Sequence, residues 1–194
     1  MEKIIFHKET KTFHLYNEEI SYIMCVLENG HMGQLYYGKR IHDKPDFSYL
    51  VEKCGRPMTS YIFEGDRSFS LEHIRQEYPV YGTTDYRHPA IEIMQENGSN
   101  ISEFQYVGYE ILKGKPSLKG LPATYTESEE EAETLKIILK DNLTEAKLTL
   151  LYTIFSKGSA IARSAHICNE GEKVLHLQTM MSLNLDLPDK DYVW

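Results

Sequence analysis

Apolar residues in this chain recur at alternate positions or in short mixed runs, and no long segment keeps the 3.6-residue period of an amphipathic helix. Residues 12–15 open a series of predicted strands. Residues 19–26 follow, with Ile20, Tyr22, Met24 and Val26 alternating against Glu19, Ser21, Ile23 and Cys25. Both faces of that strand carry apolar groups, so it is expected between two layers. Glu28-Asn29-Gly30 supplies a turn, and residues 34–39 (QLYYGK) are the returning hairpin partner. Further strands are predicted at 90–94, 104–113, 134–140, 145–155, 160–169 and 174–185. The turns are Glu96-Asn97-Gly98, Asp141-Asn142, Lys157-Gly158 and Asn169-Glu170-Gly171. Strands about a dozen residues apart with short turns predict an all-β antiparallel sandwich.

Three stretches break this pattern. Residues 40–67 lose periodicity and contain Pro45, Gly55, Pro57 and Gly65, a length of irregular chain expected to be functional or mobile. Residues 115–125, with Pro116, Gly120 and Pro122, form a second irregular loop, and residues 127–133 hold five glutamates, a pattern expected of a solvated loop. Residues 70–76 (SLEHIRQ) can form one helical turn with Ser70 as its N-cap. Around them, residues 76–98 (QEYPVYGTTDYRHPAIEIMQENG) place Glu77, Tyr78, Tyr81, Asp85, Tyr86 and Arg87 on a frame of Pro79, Gly82 and Pro89. Such a frame suits either a recognition surface or a buried hydrogen-bonded corner.

Composition narrows the function. The 194 residues suffice for one large domain, with 41% hydrophobic and 26% charged residues. A net charge of −8 without a dense basic run argues against nucleic acid. No apolar run approaches the ~20 residues of a membrane span. The opening residues, MEKIIFHKETK, lack the apolar core of a signal peptide, and three widely spaced cysteines make no disulfide framework, so a cytoplasmic setting is expected. Cys25 and Cys168 are expected as buried free thiols. The histidines are scattered without metal-ligand spacing, and no G-x-S-x-G, reactive-cysteine setting or phosphate-cradling glycine loop occurs, so neither metal nor cofactor is predicted. What remains is aromatic and carboxylate decoration, including fourteen tyrosines. Rings stack on sugars while Asp, Glu, Asn and Arg bond hydroxyls, but Tyr22, Tyr106 and Tyr152 on strands are expected in the core.

The wording of several blocks resembles one family. FHL (13–15), LYYGK (35–39), DRSFSL (66–71), QEYPVYGTTDYRHPA (76–90) and QENGS (95–99) look like the bacterial α-galactosidases of glycoside hydrolase family 36. KGKPSLKGLPATY (113–125), EEEAETL (129–135) and LDLPDKDYVW (185–194) look like the same family, in order along nearly the whole chain. The resemblance implies a galactose-mutarotase-like β-supersandwich ahead of a catalytic (β/α)8 barrel and a small C-terminal β domain. On that reading residues 1–194 are a partial N-terminal domain, truncated at its C-terminal end, with the barrel and the last domain absent. The family's retaining mechanism uses two carboxylates about 5 Å apart on the barrel. Its K-W-D nucleophile motif does not occur here, so no catalytic residue is expected in this chain and the fragment alone is predicted inactive.

The resemblance also implies a homotetramer in which the N-terminal domain reaches a pocket for α-galactosides such as melibiose and raffinose-type sugars. By matching blocks, Arg67 corresponds to the pocket arginine and Tyr192 to the pocket tyrosine, with Trp194 beside it. Asp46 and Glu52 are candidates for the acidic pocket residue of the long loop. Arg67 can alternatively form a surface salt bridge with Asp66 or Glu64. Glu77, Tyr78, Asp85 and Arg87 are expected to lock a corner or to face another domain or subunit. The alternative to this whole reading is a free-standing carbohydrate-binding β-sandwich.

Overall fold

The computed structural model describes residues 3–55, 57–120 and 123–187, and among them every regular element longer than one turn is a β-strand. Strands β1 (Ile4–His7), β2 (Thr12–Tyr16), β3 (Ile20–Val26) and β4 (Met32–Lys39) form an antiparallel sheet in chain order. Strands β6 (Phe104–Lys113), β7 (Ala132–Asp141), β8 (Ala146–Phe155) and β9 (Ile161–Asn169) form a second antiparallel meander. Between them in sequence lies β5 (Ile91–Gln95), which pairs antiparallel with β10 (Leu175–Met180). The expected all-β antiparallel architecture is what forms, and β1 is an additional strand, its Ile4 paired with Leu15 of β2.

Alternation explains how the layers meet. Phe13, Leu15, Ile20, Tyr22 and Met24 of the first sheet pack against Leu135, Ile137, Leu139, Leu148, Leu150, Tyr152 and Ile154 of the second. Ile91 and Ile93 of β5 close the same core. The opposite face of the first sheet is also covered. Ile23, Cys25, Leu27 and Leu35 bury against Phe47, Phe69, Leu71 and Ile74, which all come from the irregular 40–74 stretch. Of these, Phe47 lies in the aperiodic 40–67 loop, and Phe69, Leu71 and Ile74 follow it. These few large apolar residues roof the first sheet, a task that needs spacing in three dimensions and not along the chain.

Smaller departures have local causes. Ser70 accepts backbone N–H bonds from His73 (3.4 Å) and Ile74 (3.2 Å), giving one turn. The turn does not become a helix, because Arg75 O accepts the Gln34 N–H at 3.0 Å and draws the chain onto β4. In the glutamate run, Glu129–Glu131 is a short 3-10 turn, while Glu133 already belongs to β7 and its carboxylate accepts the Lys3 N–H at 2.6 Å. Tyr22 and Tyr152 are core residues, and Tyr106 packs half-buried against the same core, its ring beside Phe13. Cys25 is buried as expected, but Cys168 is half-buried, since it faces outward from the edge strand β9 beside Lys147. Strand β10 stops at Met180, short of the expected 185, because the residues after it are claimed by the 76–90 corner.

Candidate functional site

Residues 76–90 form a polar corner, buried at 76–80, 85, 89 and 90, with Tyr81 and Tyr86 exposed at its surface. Pro79 and Pro89 keep the segment extended, Ala90 N–H bonding Pro79 O at 2.8 Å, and Gly82 (φ 100°) makes the turn between them. At Gly82 a Cβ would lie 2.8 Å from Ile101, so conformation and space both require glycine.

Glu77 is fully buried at the centre of the corner. Its carboxylate accepts hydrogen bonds from the Tyr22 hydroxyl (2.6 Å) and the Tyr152 hydroxyl (2.9 Å), and pairs with the Arg163 Nη2 at 3.1 Å. The Arg163 guanidinium also lies 4.6 Å over the Tyr152 ring and donates to Glu77 O (3.3 Å) and Asn184 O (3.1 Å). Burial, with the Glu77 charge adding to it, pushes both phenols well above the ordinary tyrosine value. Burial opposes the Arg163 charge, but Tyr152 and Glu77 outweigh it and hold the guanidinium protonated more firmly than usual. The group is therefore one anion, one cation and two neutral donors, with the charges balanced inside the core. Arg163 is the charged residue among the inward positions Ile161, Arg163, Ala165 and Ile167 of β9, the one sequence signal that points to it.

The second half of the corner is built on Asp85, which is almost fully buried. It accepts hydrogen bonds from the Arg87 N–H (3.0 Å), Nε (2.9 Å) and Nη2 (2.8 Å), and from Gln76 Nε2 (2.8 Å). Gln76 Oε1 meets His31 Nδ1 at 3.0 Å, and burial lowers the affinity of that imidazole for a proton. Arg87 reaches outward as well, to Leu71 O (3.0 Å), Ile74 O (2.8 Å) and Asp186 (3.0 Å).

The corner also takes hold of the segment that leaves β10. The Tyr78 hydroxyl, its pKa raised by burial to about 12, donates to Met181 O at 2.5 Å. Asn184 Nδ2 donates to Gln76 O at 3.2 Å. Glu77, Tyr78, Asp85 and Arg87 thus lie together in one buried network that joins the two halves of the chain.

The residues expected near a sugar are distributed differently. Arg67 is exposed, directly after the tight Phe63–Asp66 turn, and forms no hydrogen bond or ion pair among the described residues. Asp66, its suggested salt-bridge partner, instead accepts from Ser68 N–H (2.8 Å) and Oγ (2.7 Å), bonds that hold its carboxyl below the usual range. Asp46 is exposed and accepts the Ser48 N–H at 2.7 Å, which likewise lowers its pKa. Glu52 is exposed and lies near enough to Arg87 to strengthen that guanidinium's charge. Tyr192 and Trp194 fall outside the described residues.

A further cluster, buried at His14 and Ser21 and open to solvent at Asp43, had no sequence signal. His14 Nε2 meets Ser21 Oγ at 2.9 Å, and Asp43 Oδ1 meets both His14 Nδ1 (2.7 Å) and His7 Nε2 (2.9 Å). The order Ser, His, Asp is that of a hydrolytic triad, but Ser21 is fully buried and its Oγ also accepts the Ile41 N–H at 3.1 Å. No substrate can reach it, and the cluster ties the 40–47 segment to the sheet.

Known proteins share this fold. The α-galactosidase AgaA of Geobacillus stearothermophilus is 40% identical over 191 residues, covering 98% of this chain and 26% of that protein. The α-galactosidase Mel36A of Lactobacillus acidophilus is 34% identical, covering 97% of this chain and again 26% of the relative. The crystal structure of the Lactobacillus brevis α-galactosidase superposes with a TM-score of 0.92 at 37% identity, covering 96% of this chain and 25% of that one. The chain thus spans about a quarter of the length of these relatives. The model of the glycosyl hydrolase family 36 N-terminal domain matches residues 30–194, and the chain belongs to that family.

Proposed function

We propose that this chain is the N-terminal domain of a retaining α-galactosidase and is itself non-catalytic. The observation that carries the reading is the match along 98% of the chain to proteins nearly four times longer that are α-galactosidases. A variant of AgaA has been crystallised with raffinose, and its superposition on this chain has a TM-score of 0.84 at 41% identity. The nucleophile and the acid/base then belong to a (β/α)8 barrel supplied by the parent protein, with a further β domain after it. The domain contributes pocket walls through Arg67, Tyr192 and Trp194, with Asp46 or Glu52 as the acidic member, and it shapes contacts between the subunits of a homotetramer. An exposed guanidinium without a partner among the described residues suits this role, because its donors can reach sugar hydroxyls. A cytoplasmic location completes the reading; no helix among the described residues is long and apolar enough to cross a membrane.

The test is hydrolysis of a chromogenic α-galactoside. The isolated chain is expected to give no turnover, and Arg67→Ala in the full-length enzyme is expected to raise KM about tenfold, the loss of one charged hydrogen-bonding group to substrate. Turnover that tracks the pure chain through purification rejects the non-catalytic reading.

A second reading, an independent carbohydrate-binding module, has one observation in its favour. A polar cleft of about 620 Å³ is lined by Tyr16, Asn17, Glu18, Arg40, Lys113 and Glu129, among others. The Arg40 guanidinium, however, lies 5.0 Å over the Tyr16 ring, where a sugar would stack. Calorimetry with galactose, melibiose and raffinose separates the readings: millimolar or tighter binding by the isolated chain favours the module.

A further inference from the structure

Residues 181–187 follow β10 without forming a strand, yet from Leu183 onward their exposure alternates. Met181, Leu183, Leu185 and Leu187 are 37–47% exposed, while Asn184 and Asp186 between them are half-buried. The even-numbered side chains fasten the segment: Asn184 Nδ2 donates to Gln76 O at 3.2 Å, and Asp186 accepts from Arg87 Nη1 at 3.0 Å. The backbone is held as well. Met181 N–H donates to Ala90 O at 2.8 Å, and Asn184 O accepts from Arg163 Nη1 at 3.1 Å. Successive side chains of an extended chain point to opposite sides, so the leucines face away from the corner that secures the segment.

Single apolar residues scattered over a surface are ordinary, but a row of them on one face marks an interaction surface. A loose tail could fold its leucines back onto the molecule. This segment cannot, because its polar groups are bonded to the corner at both backbone and side chain. Val174 just before β10 and Leu177 on it add exposed apolar surface, and among the described residues β10 pairs with β5 alone.

We infer that the Met181–Leu183–Leu185–Leu187 stripe is a docking face, and that its occupant is an apolar β-layer formed by the part of the full-length protein outside these 194 residues. The assignment rests on the reading of this chain as one domain of a longer enzyme. AgaA is matched over 26% of its length and the Lactobacillus brevis structure over 25%, so most of each lies outside the matched part and can supply the cover. Leucines at alternate positions stand roughly 7 Å apart, a spacing that interdigitates with the pleat of a facing sheet. Residues joined in one chain also reach the face at an effective concentration far above that of a second copy.

The experiment places a reporter thiol in the full-length protein, as Leu185→Cys, with Leu143→Cys as control. Leu143 is 65% exposed in the turn between β7 and β8, away from the stripe. Maleimide labelling, read by mass spectrometry at each position, is expected to be at least about tenfold slower at 185 than at 143 in the full-length protein. In the isolated chain at low micromolar concentration the two rates should be similar. The double variant Leu183→Asp/Leu185→Asp is expected to lower the melting temperature of the full-length protein by several degrees and leave that of the isolated chain unchanged. Equal labelling at 185 and 143 in an active full-length enzyme overturns the interface alone. Equal melting shifts in both proteins overturn it too, by assigning the leucines to the 194-residue fold itself. Slow labelling at 185 in the dilute isolated chain makes a second copy the occupant and rejects the inference. Slow labelling in a full-length protein without α-galactosidase activity supports the interface while rejecting the catalytic reading.

Discussion

Glu77 shows what a single residue contributes to this domain. Its carboxylate stands between β3, β8 and β9 and is bonded to a side chain from each of them, Tyr22, Tyr152 and Arg163. A buried pair of this kind adds modest net stability, but removing one member leaves the other charge unmatched in the core. Glu77→Gln is therefore expected to cost about 3–5 kcal/mol of unfolding free energy, read from urea denaturation. Tyr152→Phe, which removes one donor and keeps the ring, should cost less, about 1.5–3 kcal/mol. Equal costs for the two would mean that the ion pair is not the centre of the cluster.

The first sheet and its roof depend on a different contact. Asp43 bridges His7 and His14, and His14 in turn bonds Ser21, so the irregular stretch is fastened to β1, β2 and β3. The groups facing His14 are Asp43, His7, Arg40 and Ser21. Burial is the largest influence and lowers its pKa below 6.5, against the raising effect of Asp43. In the folded chain His14 is thus neutral where the unfolded chain already binds a proton, so stability falls as pH drops below about 6.5. Asp43, pulled below 3.8 by its bonds to the two histidines against a raising effect of burial, adds a second loss under still more acidic conditions, below about 3.8. Between pH 7 and 5 the melting temperature is expected to decline, with a His14 contribution of at most ~1.4 kcal/mol per pH unit. His14→Gln should flatten that slope; an unchanged slope in the variant would assign the acid sensitivity elsewhere.

At the scale of the molecule, three sheets share one core, and among the described residues no strand pairs beyond β9 or β10. Strand β9 ends the second sheet, and β10 ends the small one with Leu177 49% exposed and Val174 before it 55% exposed. Unpaired edges bearing apolar groups promote association between copies. The isolated chain is expected to show an average mass that climbs above 22.5 kDa with concentration in light scattering. A constant monomer mass up to millimolar concentration counts against free edges.

Period-two alternation made the strands from β2 to β10 readable without coordinates, because each has a face that must be buried. The Asn-Gly and Lys-Gly turns were readable for the same local reason: Gly98 and Gly158 adopt φ of 81° and 89°. The ordered blocks of family wording, from LYYGK to LDLPDKDYVW, were enough to reach glycoside hydrolase family 36. Only the tertiary structure showed that residues of the 40–74 stretch roof a sheet, since the contact of Phe47 with His14 and the shared cluster of Phe69 and Cys25 leave no repeat along the chain. The same holds for the 76–90 corner, whose residues suit a recognition surface and a buried hydrogen-bonded corner equally well. Its charges are satisfied by Tyr22, Tyr152, Arg163 and Asp186, residues as much as 99 positions distant. Their pairing is set by how the sheets stack, a long-range property that no local pattern encodes.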